Sequence, residues 1–82
     1  MLMIKYFASL REALGVASER IAFVNGETVN QLLLRLAEQH PQAKLQLLDG
    51  SVRAAVNQQI VEAAHPLSEH DEVAFFPPVT GG

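Results

Sequence analysis

Residues 3–8 alternate: Ile4 and Tyr6 would project to one side of an extended segment, Lys5 and Phe7 to the other. Lys5 requires water, so the Ile4/Tyr6 side is read as the core side and Phe7 falls on the solvent side. Ser9-Leu10-Arg11-Glu12 has the S-x-x-E form of a capping box, with Leu10, Ala13 and Leu14 as a short apolar face and Gly15 as the left-handed residue after the last turn. These signals predict a brief helix over 10–14. Residues 19–24 are rich in β-branched and aromatic side chains and end at the turn pair Asn25-Gly26, which predicts a second strand antiparallel to the first.

Thr28-Val29-Asn30-Gln31 repeats the capping box in its glutamine form, and Val29, Leu32, Leu33 and Leu36 follow the i, i+3, i+4, i+7 spacing of one buried helical face. Leu34 falls off that face. Pro41 ends this main helix, because the residue before a proline avoids helical geometry. Residues 43–48 are read as a further helical turn with Leu45 and Leu48 facing inward, followed by a turn at Asp49-Gly50. Val52, Ala54 and Val56 alternate with Arg53, Ala55 and Asn57, and the apolar pair Ile60-Val61 comes next. Residues 65–68 form a loop. The last strand is read over 72–76, with Val73 and Phe75 inward and Ala74 and Phe76 outward.

The order is strand, strand, long helix, then strands, which suits an α+β fold with one main helix on a mixed sheet. The first and last strands are both apolar enough to lie side by side, parallel, at the sheet centre. That arrangement is a β-grasp over residues 1–76, with 77–82 left as an extended C-terminal tail.

In Pro77-Pro78-Val79-Thr80-Gly81-Gly82, two prolines fix φ and remove two donors, so the sheet must stop and the chain leaves it extended. Gly81 and Gly82 form a thin, flexible tip without side chains. Such a tail can enter a narrow cleft and place its carboxylate deep inside a partner; an ordinary frayed terminus is the plain alternative. A terminal carboxylate is ionised at neutral pH and a poor electrophile. Conversion to an acyl-adenylate makes it reactive toward sulfur, an amine or a thiol, and glycine presents least bulk to the attacking group. None of this requires a catalytic side chain in the chain itself.

Composition narrows the choices further. The chain has 82 residues, no cysteine and a net charge of −3, with its six basic residues scattered singly. One domain is allowed. Disulfides and thiolate chemistry are excluded within it, a basic nucleic-acid face is missing, and a core without disulfides suits the cytoplasm. No apolar run approaches the ~20 residues of a membrane span, and the N-terminus lacks the basic stretch of a secretory signal. His40, His65 and His70 have no zinc-motif spacing, the serines lack a nucleophile-elbow context, and Asp71-Glu72 is read as a solvated turn. No metal or bound cofactor is expected.

Phe7 and Phe76 share the outer face, and parallel neighbouring strands would bring them together near the root of the tail. With Ile60 they are candidates for an apolar docking patch, with Arg11 as a polar rim; a register shift of one residue would turn them inward instead.

The string Phe76-Pro77-Pro78-Val79-Thr80-Gly81-Gly82, with Asp71 to Phe75 before it, closely resembles the end of the small, sulfur-carrying subunits of molybdopterin synthase. The opening Tyr6-Phe7-Ala8-Ser9-Leu10-Arg11-Glu12 and the segment Ala54-Ala55-Val56-Asn57 match that family's pattern as well. The resemblance implies a ubiquitin-like β-grasp. It implies that Gly82 is adenylated by a ubiquitin-activating-like, ATP-dependent adenylyltransferase, which holds the ATP and zinc. A sulfur-donor protein then makes Gly82 a thiocarboxylate (a 1-thioglycine). It further implies insertion of the tail into the large synthase subunit, in a heterotetramer, and sulfur transfer to cyclic pyranopterin monophosphate to build the molybdopterin dithiolene. The family's apolar contact with the large subunit falls at the positions of Phe7, Ile60 and Phe76. Rival readings are a sulfur carrier for the thiazole of thiamin, which usually lacks this Phe-Pro-Pro-Val-Thr lead-in, a protein modifier that forms isopeptide bonds with lysines, and a plain interaction domain with an inert tail.

Overall fold

A computed structural model describes residues 1–78. Five strands form one mixed sheet, β1 (Leu2–Tyr6), β2 (Ser18–Ile21), β3 (Arg53–Val56), β4 (Gln59–Val61) and β5 (Glu72–Phe76), in the spatial order β2-β1-β5-β3-β4. β1 and β5 pair in parallel at the centre, with Ile4 opposite Val73 and Tyr6 opposite Phe75; the other neighbours are antiparallel. Helices α1 (Ala8–Leu14), α2 (Val29–Gln39) and α3 (Lys44–Leu47) accompany them, with a 3₁₀ turn at Pro41–Ala43. This is the β-grasp that the order of elements predicts.

The core lies between the inner sheet face and the helices. Leu2, Ile4, Tyr6, Ala54, Val56, Val73 and Phe75 come from the strands, and Leu10, Val29, Leu32, Leu36 and Leu47 from the helices. The alternation in β1 and β5 places every second residue inside, as read from sequence. α2 begins with the expected box: Thr28 Oγ1 accepts from the Gln31 N–H at 3.3 Å, and Gln31 Oε1 accepts from the Thr28 N–H at 2.9 Å. The loop before it is fixed by Arg35, whose guanidinium donates to both oxygens of buried Glu27 and to the Ala22 carbonyl.

Four local expectations are corrected. Ser9 does not cap α1. Strand β1 runs straight into the helix, Phe7 is the cap residue, and its carbonyl accepts from the Leu10 N–H, so backbone geometry does the capping. Ala8 turns the chain there with φ of 52°, a left-handed value uncommon for a residue with a Cβ. At the other end Gly15 (φ 78°) closes α1, as expected, by donating to the Arg11 carbonyl.

Leu45 and Leu48 do not face inward. They are 86% and 41% exposed, and Ala43 and Leu47 are buried in their place. The tighter 3₁₀ turn after Pro41 shifts the phase, so the i, i+4 pair 43/47 meets the core.

Asp71 is not solvated. It is buried, accepting from Asn57 Nδ2 at 2.9 Å and the Ser68 N–H at 2.7 Å. Lastly, the second strand is shorter than read, ending at Ile21, and β3 starts after Val52.

Candidate functional site

β5 runs through the middle of the sheet, and the chain leaves it at the end where β1 stops and β3 starts. Pro77 is half-buried and Pro78 exposed. Val79, Thr80, Gly81 and Gly82 lie outside the described residues.

The face of the sheet turned away from the helices is built in rows by the strand register. Lys5, Ala74, Ala55 and Ile60 are successive partners across β1, β5, β3 and β4. One step closer to the tail, the Phe7 N–H donates to the Phe75 carbonyl at 3.1 Å, continuing the parallel ladder and setting Phe7 beside Phe76. Phe76 is in turn opposite Arg53. Phe7 is 47% exposed, Ile60 is 67% exposed and Phe76 is half-buried. Ile60 owes its position to a two-residue hairpin, in which Asn57 and Gln58 both take positive φ between paired Val56 and Gln59.

The structure thus puts Phe7, Phe76 and Ile60 on one face beside the root of the tail. Arg11 is exposed on α1, a helical turn beyond Phe7. Three residues that pattern alone did not single out join them. Ala55 and Ala74 form a flat floor between Ile60 and the phenylalanines, and exposed Arg53 stands across from Phe76. The signal was present: alanine occupies outward positions on two adjacent strands, where a solvated sheet face carries polar side chains. Lys5 Nζ and Glu72 Oε1, 3.1 Å apart, provide a charged margin on the β1 side.

Directly behind this surface, on the inner face, lies a polar network. Glu19 Oε2 accepts from the Tyr6 hydroxyl at 2.6 Å and lies 2.7 Å from His40 Nε2, at the end of α2. Burial, and then the neighbouring Glu19 carboxylate, push the Tyr6 phenol far above its ordinary range. The network ties β1, the edge strand β2 and the end of α2 together. Among the described residues no cluster of three or more His, Asp or Glu side chains could hold a metal ion, and no helix is long and apolar enough to cross a membrane. The arrangement therefore sets a partly exposed apolar sheet face beside the point where the chain leaves β5.

The sequence model of the ThiS family matches residues 4–82. The chain belongs to the ThiS family. Within this family it groups with the molybdopterin synthase sulfur carrier subunits: it is 45% identical to the one from Escherichia coli, over 100% of both chains. Among solved structures, a Pyrococcus furiosus protein described as a molybdopterin converting factor subunit 1 superposes with a TM-score of 0.80 at 31% identity, covering 95% of this chain and 97% of that one. SAMP1 from Haloferax volcanii gives a TM-score of 0.85 at 28% identity, covering 99% of this chain and 98% of that one. The fold of this ThiS-family chain is thus that of its relatives throughout its described length.

Proposed function

We propose that this chain carries sulfur on its C-terminal glycine for molybdopterin synthase, the setting in which its family relatives act in molybdenum cofactor biosynthesis. In this reading residues 77–82 are the working tail. The Gly82 carboxylate attacks the α-phosphorus of ATP on an activating enzyme, and pyrophosphate leaves. The persulfide of a donor protein then displaces AMP to give an acyl disulfide, and a second thiol cleaves its S–S bond, forming a disulfide with the donor and releasing the thiocarboxylate. Inside the large subunit that sulfur attacks cyclic pyranopterin monophosphate, and water cleaves the resulting thioester, returning Gly82 to a carboxylate. Two such deliveries make one dithiolene. Pro77 and Pro78 keep the tail extended, Val79, Thr80 and Gly81 thread the cleft, and Phe7, Ile60 and Phe76, with Arg11 at the rim, dock against the partner.

The observation that carries this reading is the full-length match to the Escherichia coli sulfur carrier. The apolar face beside the tail root supports it physically, because an uncovered apolar sheet face next to a reactive terminus fits a carrier that must be held while its tip reacts. The likeness to SAMP1, a small archaeal modifier protein by its description, favours a second reading as a protein modifier.

Intact-mass spectrometry after incubation with activating enzyme, ATP and sulfur donor separates the two. Sulfur carriage replaces one oxygen by sulfur at Gly82; modification yields lysine-linked conjugates. A chain lacking Gly82 should fold normally and support no molybdopterin synthesis. An undiminished yield from that truncated chain overturns the proposal.

A further inference from the structure

The helical side of the molecule carries a second apolar feature, remote from the sheet face just described. Leu45 on α3 and Leu48, its C-terminal cap residue, are both directed to solvent, while Leu47 holds the buried side of the helix. Beside Leu48 lies a shallow cavity of about 130 Å³, lined chiefly by Leu33, Leu47, Leu48 and Val52 but also by the polar Asn30 and Asp49. A projecting leucine and a mainly apolar hollow therefore sit next to each other on one surface.

The charges around them are arranged symmetrically. Lys44 precedes the two leucines and Asp49 follows them, so the run Lys44-Leu45-Gln46-Leu47-Leu48-Asp49 has a pseudo-palindrome centred between Gln46 and Leu47. A two-fold axis at that centre would set Leu45 of one copy against Leu48 of the other, and Lys44 against Asp49, twice over. Leu45 would then enter the hollow beside the opposing Leu48. Asp49 is prepared for such a contact. The Ser51 N–H and hydroxyl both donate to its Oδ1, at 3.0 and 2.8 Å, which fixes the carboxylate and holds its pKa below the usual range. Neither Lys44 Nζ nor Asp49 Oδ2 makes an ion pair or hydrogen bond among the described residues.

We propose that α3 and the turn after it form the contact of a two-fold, antiparallel dimer of this chain. One short helix per copy covers far less than the ~1,600 Å² of a standard stable interface, so the dimer is weak, with a dissociation constant on the order of a millimolar. It uses the helical side and leaves Phe7, Phe76 and the tail root of both copies uncovered, so self-association and docking through the sheet do not compete.

Sedimentation equilibrium of the full chain, from micromolar to millimolar concentration, tests this. The weight-average mass should rise from one protomer toward two. Leu45→Glu should hold it at one protomer. Lys44→Asp should weaken association roughly fivefold or more, because two exposed attractions become two repulsions. Combining Lys44→Asp with Asp49→Lys should recover part of it, since the reversed charges again meet in antiparallel register although the Ser51 donors lose their acceptor; thermal melts verify that each variant folds. A native mass fixed at one protomer up to millimolar concentration overturns the proposal. So does association that survives Leu45→Glu, which would place the contact on another face, or a well-folded double reversal that recovers none of it.

Discussion

The two faces of the sheet are made from the same strands and even from adjacent residues, yet they meet opposite fates. Tyr6 and Phe75 are buried under the helices; Phe7 and Phe76, one position on, remain uncovered or half-covered. The inner face is completed within the chain, its apolar side chains sharing one buried cluster with those of the helices. The outer face has equally apolar residues at the tail end, and among the described residues nothing covers Phe7 fully. Apolar surface left open in this way costs solubility, which a small protein recovers when a partner supplies the missing layer. The comparison teaches that hydrophobicity alone does not mark the core: the side of the pleat on which a residue falls does.

The largest test of the contrast removes one ring from each side. Phe75→Ala should lose ~3–5 kcal/mol of folding stability, from lost transfer energy and a cavity, measured by urea denaturation. That is a large part of the ~5–15 kcal/mol typical of a whole domain. Phe76→Ala should leave the midpoint of unfolding nearly unchanged and weaken binding to the large subunit by ~1–2 kcal/mol, read by calorimetry. If the two variants behave alike in both assays, the division between the faces fails.

A pH series sharpens the inner side. Tyr6 holds its proton more tightly folded than unfolded, so its contribution is complete below its ordinary value of 10.0 and is lost as pH rises above it. Native stability should fall above pH 10 by up to ~1.4 kcal/mol per unit from this group, and Tyr6→Phe should flatten that slope. The smallest effects concern the two helix starts. Thr28→Ala should cost about 1 kcal/mol, whereas Ser9→Ala should cost under ~0.5 kcal/mol, because only the threonine caps. Equal losses in thermal melts would return Ser9 to a capping role.

These helix starts also show what could be read from sequence and what could not. S-x-x-E and T-x-x-Q are equivalent strings. The second is preceded by the Asn25-Gly26 turn, which frees the backbone to present Thr28. The first follows a strand directly, and the β1 ladder carries on to Phe7, leaving Ser9 inside the helix. The inner and outer positions of β1 and β5 were legible because alternation is a local property. The orientation of Leu45 and Leu48 was not, because a three-residue 3₁₀ turn displaced the helical phase. The outer phenylalanines were visible as a patch only once the parallel pairing was assumed. Ala55, Ala74 and Arg53 join that surface through register between distant segments, which no single stretch of sequence contains.

The position of β5 has a mechanical consequence. It is hydrogen-bonded on both sides, parallel to β1 and antiparallel to β3, and Pro77 follows it without an intervening loop. Tension on the exit segment runs along the strand and loads two ladders in shear, so several bonds resist together instead of peeling open one at a time. Under the function proposed above, an enzyme gripping the extremity would therefore pull on a strand held by a ladder on each side. In that proposal the exit segment serves as a handle for repeated cycles without fraying the fold behind it.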